Sequence, residues 1–158
     1  MAGVESRAGL TPYDPDADLT DLHGFLVRAD LTLIGPNVRT ARLWLLRDAA
    51  EVVHGSTGFE LSASGEDALI RSVAVDHTRR GQGLGLDLAR FALERASEAG
   101  ARRAWLFSRR SGPFWRRLGF EPADRDALAD ALADTHQVTL FRATGQFDHE
   151  VAWSRPLT

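Results

Sequence analysis

The 158 residues contain no cysteine and no lysine. Without a thiol there are no disulfides, no thiolate metal sites and no covalent intermediate on a chain sulfur. Without lysine the G-x-x-x-x-G-K-S/T phosphate loop is excluded, and all 19 basic residues are arginine. The chain also lacks any run of about 18 apolar residues, the length a membrane-spanning helix needs. The opening MAGVESRAGL has none of the apolar core of an export signal, so a cytoplasmic location is expected. Net charge is only −3, which gives no basic field to draw nucleic acid or an acidic membrane surface. Neither is expected as a partner. Five histidines lie scattered without ligand spacing, so no metal is expected.

What is present is ordinary for a globular chain, 44% hydrophobic and 26% charged. The length suits a single domain over residues 1–158 with its own core. Leu19, Leu22, Phe25 and Leu26 recur at helical spacing and predict a helix over 16–29. Residues 31–40 read as a short helical or irregular connection around Gly35-Pro36-Asn37. ARLWLLRD (41–48) and EVVHGSTGFEL (51–61) read as an antiparallel hairpin, and ALIRSVAV (68–75) as an apolar strand. A helix over 84–99 ends at Gly100. RRAWLFS (102–108) is a further strand, GPFWRRLG (112–119) a short helix with Pro113 in its first turn, and RDALADALAD (125–134) another helix. HQVTLFRAT (136–144) and HEVAWSRPL (149–157) read as a closing pair of strands around Gly145. The order implies an α/β (α+β) fold, a mixed sheet with helices on its faces.

Between the apolar strand and the long helix stands DHTRRGQGLG, residues 76–85. Glycines at a helix mouth let an anion approach backbone N–H groups that have no intrahelical partner, and the helix dipole adds positive potential. Arg79 and Arg80 add charge-assisted donors. The chemistry suits a phosphate or pyrophosphate. The dinucleotide pattern G-x-G-x-x-G fails in both registers, because Leu86 and Leu88 stand where its last glycine belongs.

Arg80-Gly81-Gln82-Gly83-Leu84-Gly85 matches the Q/R-x-x-G-x-G/A motif of the GNAT N-acetyltransferase superfamily, and LIRSVAVDHTRRG resembles its central strand. About 35 residues on, FWRRLGF (114–120) resembles the later segment x-Y-x-x-x-G-F. Within that superfamily the chain resembles most the arsenic-resistance N-acetyltransferases, which acetylate amino-acid antimetabolites. Leu69-Ile70-Arg71-Ser72-Val73-Ala74-Val75 carries that likeness, while the tail ATGQFDHEVAWSRPL departs from it.

The resemblance implies a mostly antiparallel central sheet and acetyl-CoA as cosubstrate. It implies that the backbone of Val73 and Val75 pairs with the pantetheine arm. The amides of Gly81, Gln82, Gly83, Leu84, Gly85 and Leu86, with the Arg80 side chain, would hold the pyrophosphate. Ser108 falls where many members carry an asparagine on the same arm. Trp115 stands at the position of the tyrosine that protonates the departing thiolate. Indole is no acid at neutral pH, so here the ring is expected only to pack beside the cofactor. The Val73 amide is the implied oxyanion donor. With no cysteine, a neutral amine must attack the thioester directly, after losing a proton to a base.

Glu60 is the candidate base, with His54 second, while His77 reads as an exposed loop residue. Arg71 is a charge inside an apolar strand, costly unless paired. It either binds an acceptor's carboxylate or forms a salt bridge to Glu60 or Asp67. Arg109, Arg110, Arg116 and Arg117 either meet an anionic acceptor or the cofactor's 3′-phosphate, or stand solvated. The expected acceptor is a small-molecule amine. A non-catalytic acyl-CoA-binding module and a protein N-acetyltransferase are the alternatives, and the closing strands leave a homodimer open.

Overall fold

The computed structural model describes residues 9–29 and 41–157. The expected connection at 31–40 lies outside the described residues. The chain divides into two compact units. The first takes the chain up to Gly58 together with Ser72–Ala92, and the second takes Phe59–Arg71 and the chain from Leu93 onward.

In the first unit, β1 (Leu10–Pro12) pairs antiparallel with β2 (Ala41–Arg47). Next to β2 runs β3 (Val53–Leu61), and β5 (Ala74–Val75) pairs antiparallel with β3. Helix α1 (Pro15–Arg28) begins where Asp14 accepts a hydrogen bond from Asp16 N at 3.0 Å and Pro15 occupies the first turn. Its Leu22, Phe25 and Leu26, at spacings of three and four, pack with Leu43, Leu45 and Val53 of the hairpin. Trp44 alternates to the opposite face, where its ring meets Phe91 edge-on at 5.0 Å. Phe91 belongs to α2 (Leu84–Glu98). Gly58 is obligatory, since a Cβ there would run into the Arg42 carbonyl and the Leu43 side chain.

The second unit contains β4 (Asp67–Ile70), β6 (Arg103–Phe107), β7 (Glu121–Ala123) and β8 (Ala152–Pro156). β4 pairs antiparallel with the end of β3 and parallel with β6. β8 lies between β6 and β7, antiparallel to both. After β6 comes α3 (Gly112–Arg116), and between β7 and β8 come α4 (Arg125–Ala131) and α5 (His136–Thr144). Leu128, Ala129, Leu132 and Val138 of the latter segment bury Leu69 and Trp105. Eight strands, mostly antiparallel, thus occur among the described residues, as expected.

Two expectations are corrected. HQVTLFRAT is helix α5, not a strand. Val138 and Phe141 are buried one turn apart, and Gly145, at φ 80°, closes the helix with its N–H on Arg142 O. The β-branched residues are overruled by burial of this helical face and by a cap that comes from β3, described below. ALIRSVAV is not one strand but two, β4 and β5, interrupted at 71–73. Ser56 pairs with Ala74 and Phe59 with Ile70. Residues 57 and 58 therefore face three residues, 71 to 73, and the extra one makes a β-bulge. The short strands β1 and β7 have no signal in the sequence beyond their neighbours.

Candidate active site

The residues expected to hold pyrophosphate form an open turn. Asp76 Oδ1 accepts from Thr78 N at 3.3 Å and starts a single 3-10 turn, His77–Arg79. Gly81 and Gly83 then adopt φ 84° and 80°, the left-handed region that disfavours side chains. A Cβ built on either would meet nothing within 4 Å, so the face beyond them is open space. Gly83 O accepts from Asp87 N at 3.1 Å, and α2 proceeds from there. The Arg80 side chain folds back, Nε donating to Val75 O at 3.3 Å. An open, glycine-lined helix mouth with an arginine at its edge fits a pyrophosphate.

His54 braces the approach to this turn. Its Nε2 lies 2.7 Å from Asp48 Oδ2 and 3.3 Å from Arg79 Nη2, and its Nδ1 lies 3.3 Å from Asp76 Oδ2. Asp48 is held below the usual carboxylate range, first by the His54 hydrogen bond and then by the Val52 N–H. Asp76 is lowered chiefly by the Thr78 N–H, with His54 adding to it. His77 is exposed, as expected.

At the bulge, Ser72 takes φ 61°. The buried Ser56 hydroxyl donates to Ser72 O at 2.5 Å, and the adjacent Thr57 hydroxyl donates to Leu88 O at 2.6 Å. Two neighbouring hydroxyls on β3 thereby fix the bulge and α2. Val73 follows directly, half-buried, and Val75 is buried.

In the second unit Glu60 and Arg71 come together, both side chains at 0% exposure. Arg71 Nη1 donates to Glu60 Oε1 and also lies 3.2 Å from His136 Nδ1. Glu60 Oε2 accepts from His136 N at 2.6 Å, and Oε1 accepts from Gln137 N at 3.3 Å. The carboxylate therefore caps the first turn of α5. Three donors thus reach the carboxylate, which holds Arg71 and the first turn of α5 in place. Asp67, the other candidate partner for Arg71, instead accepts from Trp105 Nε1 at 2.9 Å.

Arginine only donates, so His136 Nδ1 must be the acceptor and its proton sits on Nε2. Burial first, and the Arg71 charge second, hold His136 below its ordinary value, with Glu60 opposing. Burial likewise lowers Arg71, against the pull of Glu60. Arg71 Nε and Nη2 are buried and have no hydrogen-bond partner.

Ser108 sits at the end of β6, where its Oγ accepts from Ser111 N at 3.1 Å and its carbonyl from Trp153 Nε1 at 2.9 Å. Sequence reasoning misses Trp153; its partner lies 45 residues away, and no local pattern announces it. The Trp115 ring is buried between Phe114 and Phe120, at centroid distances of 4.9 and 5.4 Å. Arg116 lies over Trp153 at 5.3 Å, and Arg109 Nε is 3.5 Å from Glu150. No trio of His, Asp or Glu able to hold a metal occurs among the described residues. No helix among them is long and apolar enough to cross a membrane.

A glycine turn thus follows a broken strand and opens a helix in an α/β fold. The family model of the GNAT acetyltransferase domain matches residues 39–122, just over half of the chain. The chain belongs to the GNAT acetyltransferase family. Its fold is similar to that of N-acetylglutamate synthase from Neisseria gonorrhoeae, complexed with coenzyme A and N-acetyl-glutamate, at 17% identity and TM-score 0.70. That match covers 97% of this chain but 36% of the synthase, so the chain spans about a third of that protein's length. It is also similar to Rv2747 from Mycobacterium tuberculosis, solved with CoA, at 15% identity and TM-score 0.73, covering 94% and 99% of the two chains. Nourseothricin acetyltransferase matches at 25% identity and TM-score 0.53, over 81% of this chain and 72% of its own. No curated protein matches by sequence. The narrower likeness to the arsenic-resistance group finds no support among these relatives.

Proposed function

We propose that this chain transfers the acetyl group of acetyl-CoA to the amine of a small molecule, without a covalent intermediate. The observation that carries the reading is the open turn at Gly81 and Gly83, both left-handed, at the mouth of α2. In this reading the amides from Gly81 to Leu86, with Gln82, Gly83, Leu84 and Gly85 between them, and the Arg80 side chain hold the pyrophosphate. The backbone of Val73 and Val75 and the Ser108 side chain take the pantetheine arm, and Trp115 packs beside it. The cosubstrate supplies an activated thioester carbonyl. The acceptor nitrogen attacks that carbonyl, and the Val73 N–H receives the oxyanion. Glu60 positions Arg71 and α5.

Arg71 keeps two buried donors, Nε and Nη2, side by side and without a partner. A carboxylate accepts such a pair in bidentate fashion, so amino-acid-like amines are the favoured acceptors. Titration calorimetry with acetyl-CoA tests the cosubstrate, and absence of binding at millimolar concentration overturns the reading. Release of free CoA thiol, screened over amino acids and polyamines, tests the reaction. The buried Trp115 in place of an acid favours one other reading, a non-catalytic acyl-CoA-binding module. Binding with no thiol release for any amine would select it.

A further inference from the structure

Ser72 carries a feature that the roles assigned above leave unused. Its hydroxyl oxygen is buried and has no hydrogen-bond partner. The same residue is one of two non-glycine residues with positive φ among those described, the other being Glu51 in a hairpin turn. A glycine would satisfy this backbone at no cost, and an unpaired buried hydroxyl is unfavourable in itself. Both penalties fall on one residue, held in place by the bulge and by the Ser56 hydrogen bond. Strain and orphaned donors that the surroundings enforce gather at functional sites.

The Ser56 hydrogen bond also sets a direction. Ser72 C=O and Val73 N–H belong to one trans peptide, so they point to opposite sides. With the carbonyl anchored on Ser56 Oγ at 2.5 Å, the Val73 N–H is aimed away from β3. The buried Ser72 hydroxyl belongs to the residue directly before that N–H.

We infer that the Ser72 hydroxyl is a second hydrogen-bond donor to the acyl carbonyl oxygen, working beside the Val73 N–H; this rests on the acetyl-CoA reading above. The acceptor nitrogen's lone pair forms the N–C bond while the carbonyl π pair moves onto oxygen. Ser72 O–H and Val73 N–H stabilise that oxyanion. Collapse restores C=O and breaks C–S, the bonding pair leaving on sulfur. The proton shed by nitrogen balances the thiolate as CoA thiol, and Ser72 is unchanged. A hydroxyl that only donates needs no acidic pKa, which suits a chain with tryptophan at position 115.

The test is isotope-edited infrared spectroscopy of acetyl-CoA labelled with carbon-13 at the carbonyl, bound to the whole chain and to Ser72→Gly. Glycine removes the hydroxyl and keeps the left-handed backbone available. The bound carbonyl stretch should fall below that of free acetyl-CoA, and Ser72→Gly should lose about half of that shift, as two donors become one. Affinity for CoA, which lacks the acyl group, should stay within about twofold, and transfer where measurable should slow by about 10²–10³-fold. Identical carbonyl frequencies in the two proteins overturn the inference. So does an equal loss of affinity for CoA and acetyl-CoA, which would make Ser72 structural. Failure of the unaltered chain to bind acetyl-CoA overturns the parent reading instead. If Ser72→Gly does not fold, Ser72→Ala is read by the same two measurements.

Discussion

Replacing Glu60 by glutamine removes one charge and almost no volume from the second unit. Both Glu60 and Arg71 side chains are at 0% exposure, so Arg71 is left as a buried, uncompensated cation. Stranding one member of a buried pair costs about 3–5 kcal/mol. Glutamine also turns one carboxylate oxygen into an NH2 group, which cannot accept. Either the His136 or the Gln137 N–H then faces a donor, a loss of about 1–3 kcal/mol. The two effects overlap, since Arg71 and α5 share the same oxygens, and a total of about 5 kcal/mol is expected. For a chain of this size that lowers Tm by about 10–20 °C. Urea unfolding followed by circular dichroism measures it, with Arg71→Met and the double variant completing a cycle. The double variant should be more stable than Glu60→Gln alone, with a coupling of at least about 2 kcal/mol. A Glu60→Gln change below about 1 kcal/mol, or simple additivity in the cycle, refutes the reasoning.

Gly83→Val forces a β-branched residue to φ 80° and puts a side chain into the open face of the turn; acetyl-CoA affinity by calorimetry should fall at least about tenfold. Gly58→Ala drives a methyl into Arg42 O and Leu43 and should cost about 1–3 kcal/mol in chemical denaturation; a neutral result would show that β2 and β3 can part. His136 is held below 6.5 when folded, so the unfolded chain binds the proton more readily. Its contribution to stability is complete above pH 6.5 and declines as pH falls from there toward the folded pKa. His136→Gln should flatten that slope in unfolding free energy measured across the same interval, and an unchanged slope would remove His136 as its source.

Periodicity carries much of the fold. The spacing of Leu22, Phe25 and Leu26 marks α1, and Gly81, Gly83 and Gly85 mark the mouth of α2, because a helix face and a left-handed turn each demand particular residue types. The cost of burying its charge narrows the pairing of Arg71 to three partners. Choosing Glu60 over Asp67 requires the register of β3 against β4 and the indole of Trp105. HQVTLFRAT reads locally as a strand because Val138, Thr139 and Phe141 favour extended backbone. The cap that makes it a helix lies 76 residues upstream, at Glu60. The bulge is silent in sequence for another reason. One inserted residue changes no composition, and a serine rather than a glycine holds the positive φ. Ser56 and Thr57, two adjacent hydroxyl residues inside a strand, are the available hint.

The place of β8 has a consequence for how the chain comes to be folded on the ribosome. β8 is the last of these strands to be synthesised, yet it lies between β6 and β7. Until Ala152–Pro156 emerges, β6 has one open edge and β7 has no strand to pair with. At a translation rate of about 5–20 residues per second, β7 waits roughly a few seconds, and Trp105 and Leu106 stay without the neighbours that will cover their backbone. Helices α4 and α5 can form early and shield Leu69 and Trp105, but the edge of β6 closes only when β8 arrives. The second unit is therefore the part of the nascent chain with the longest exposure to wrong strand partners and to chaperones.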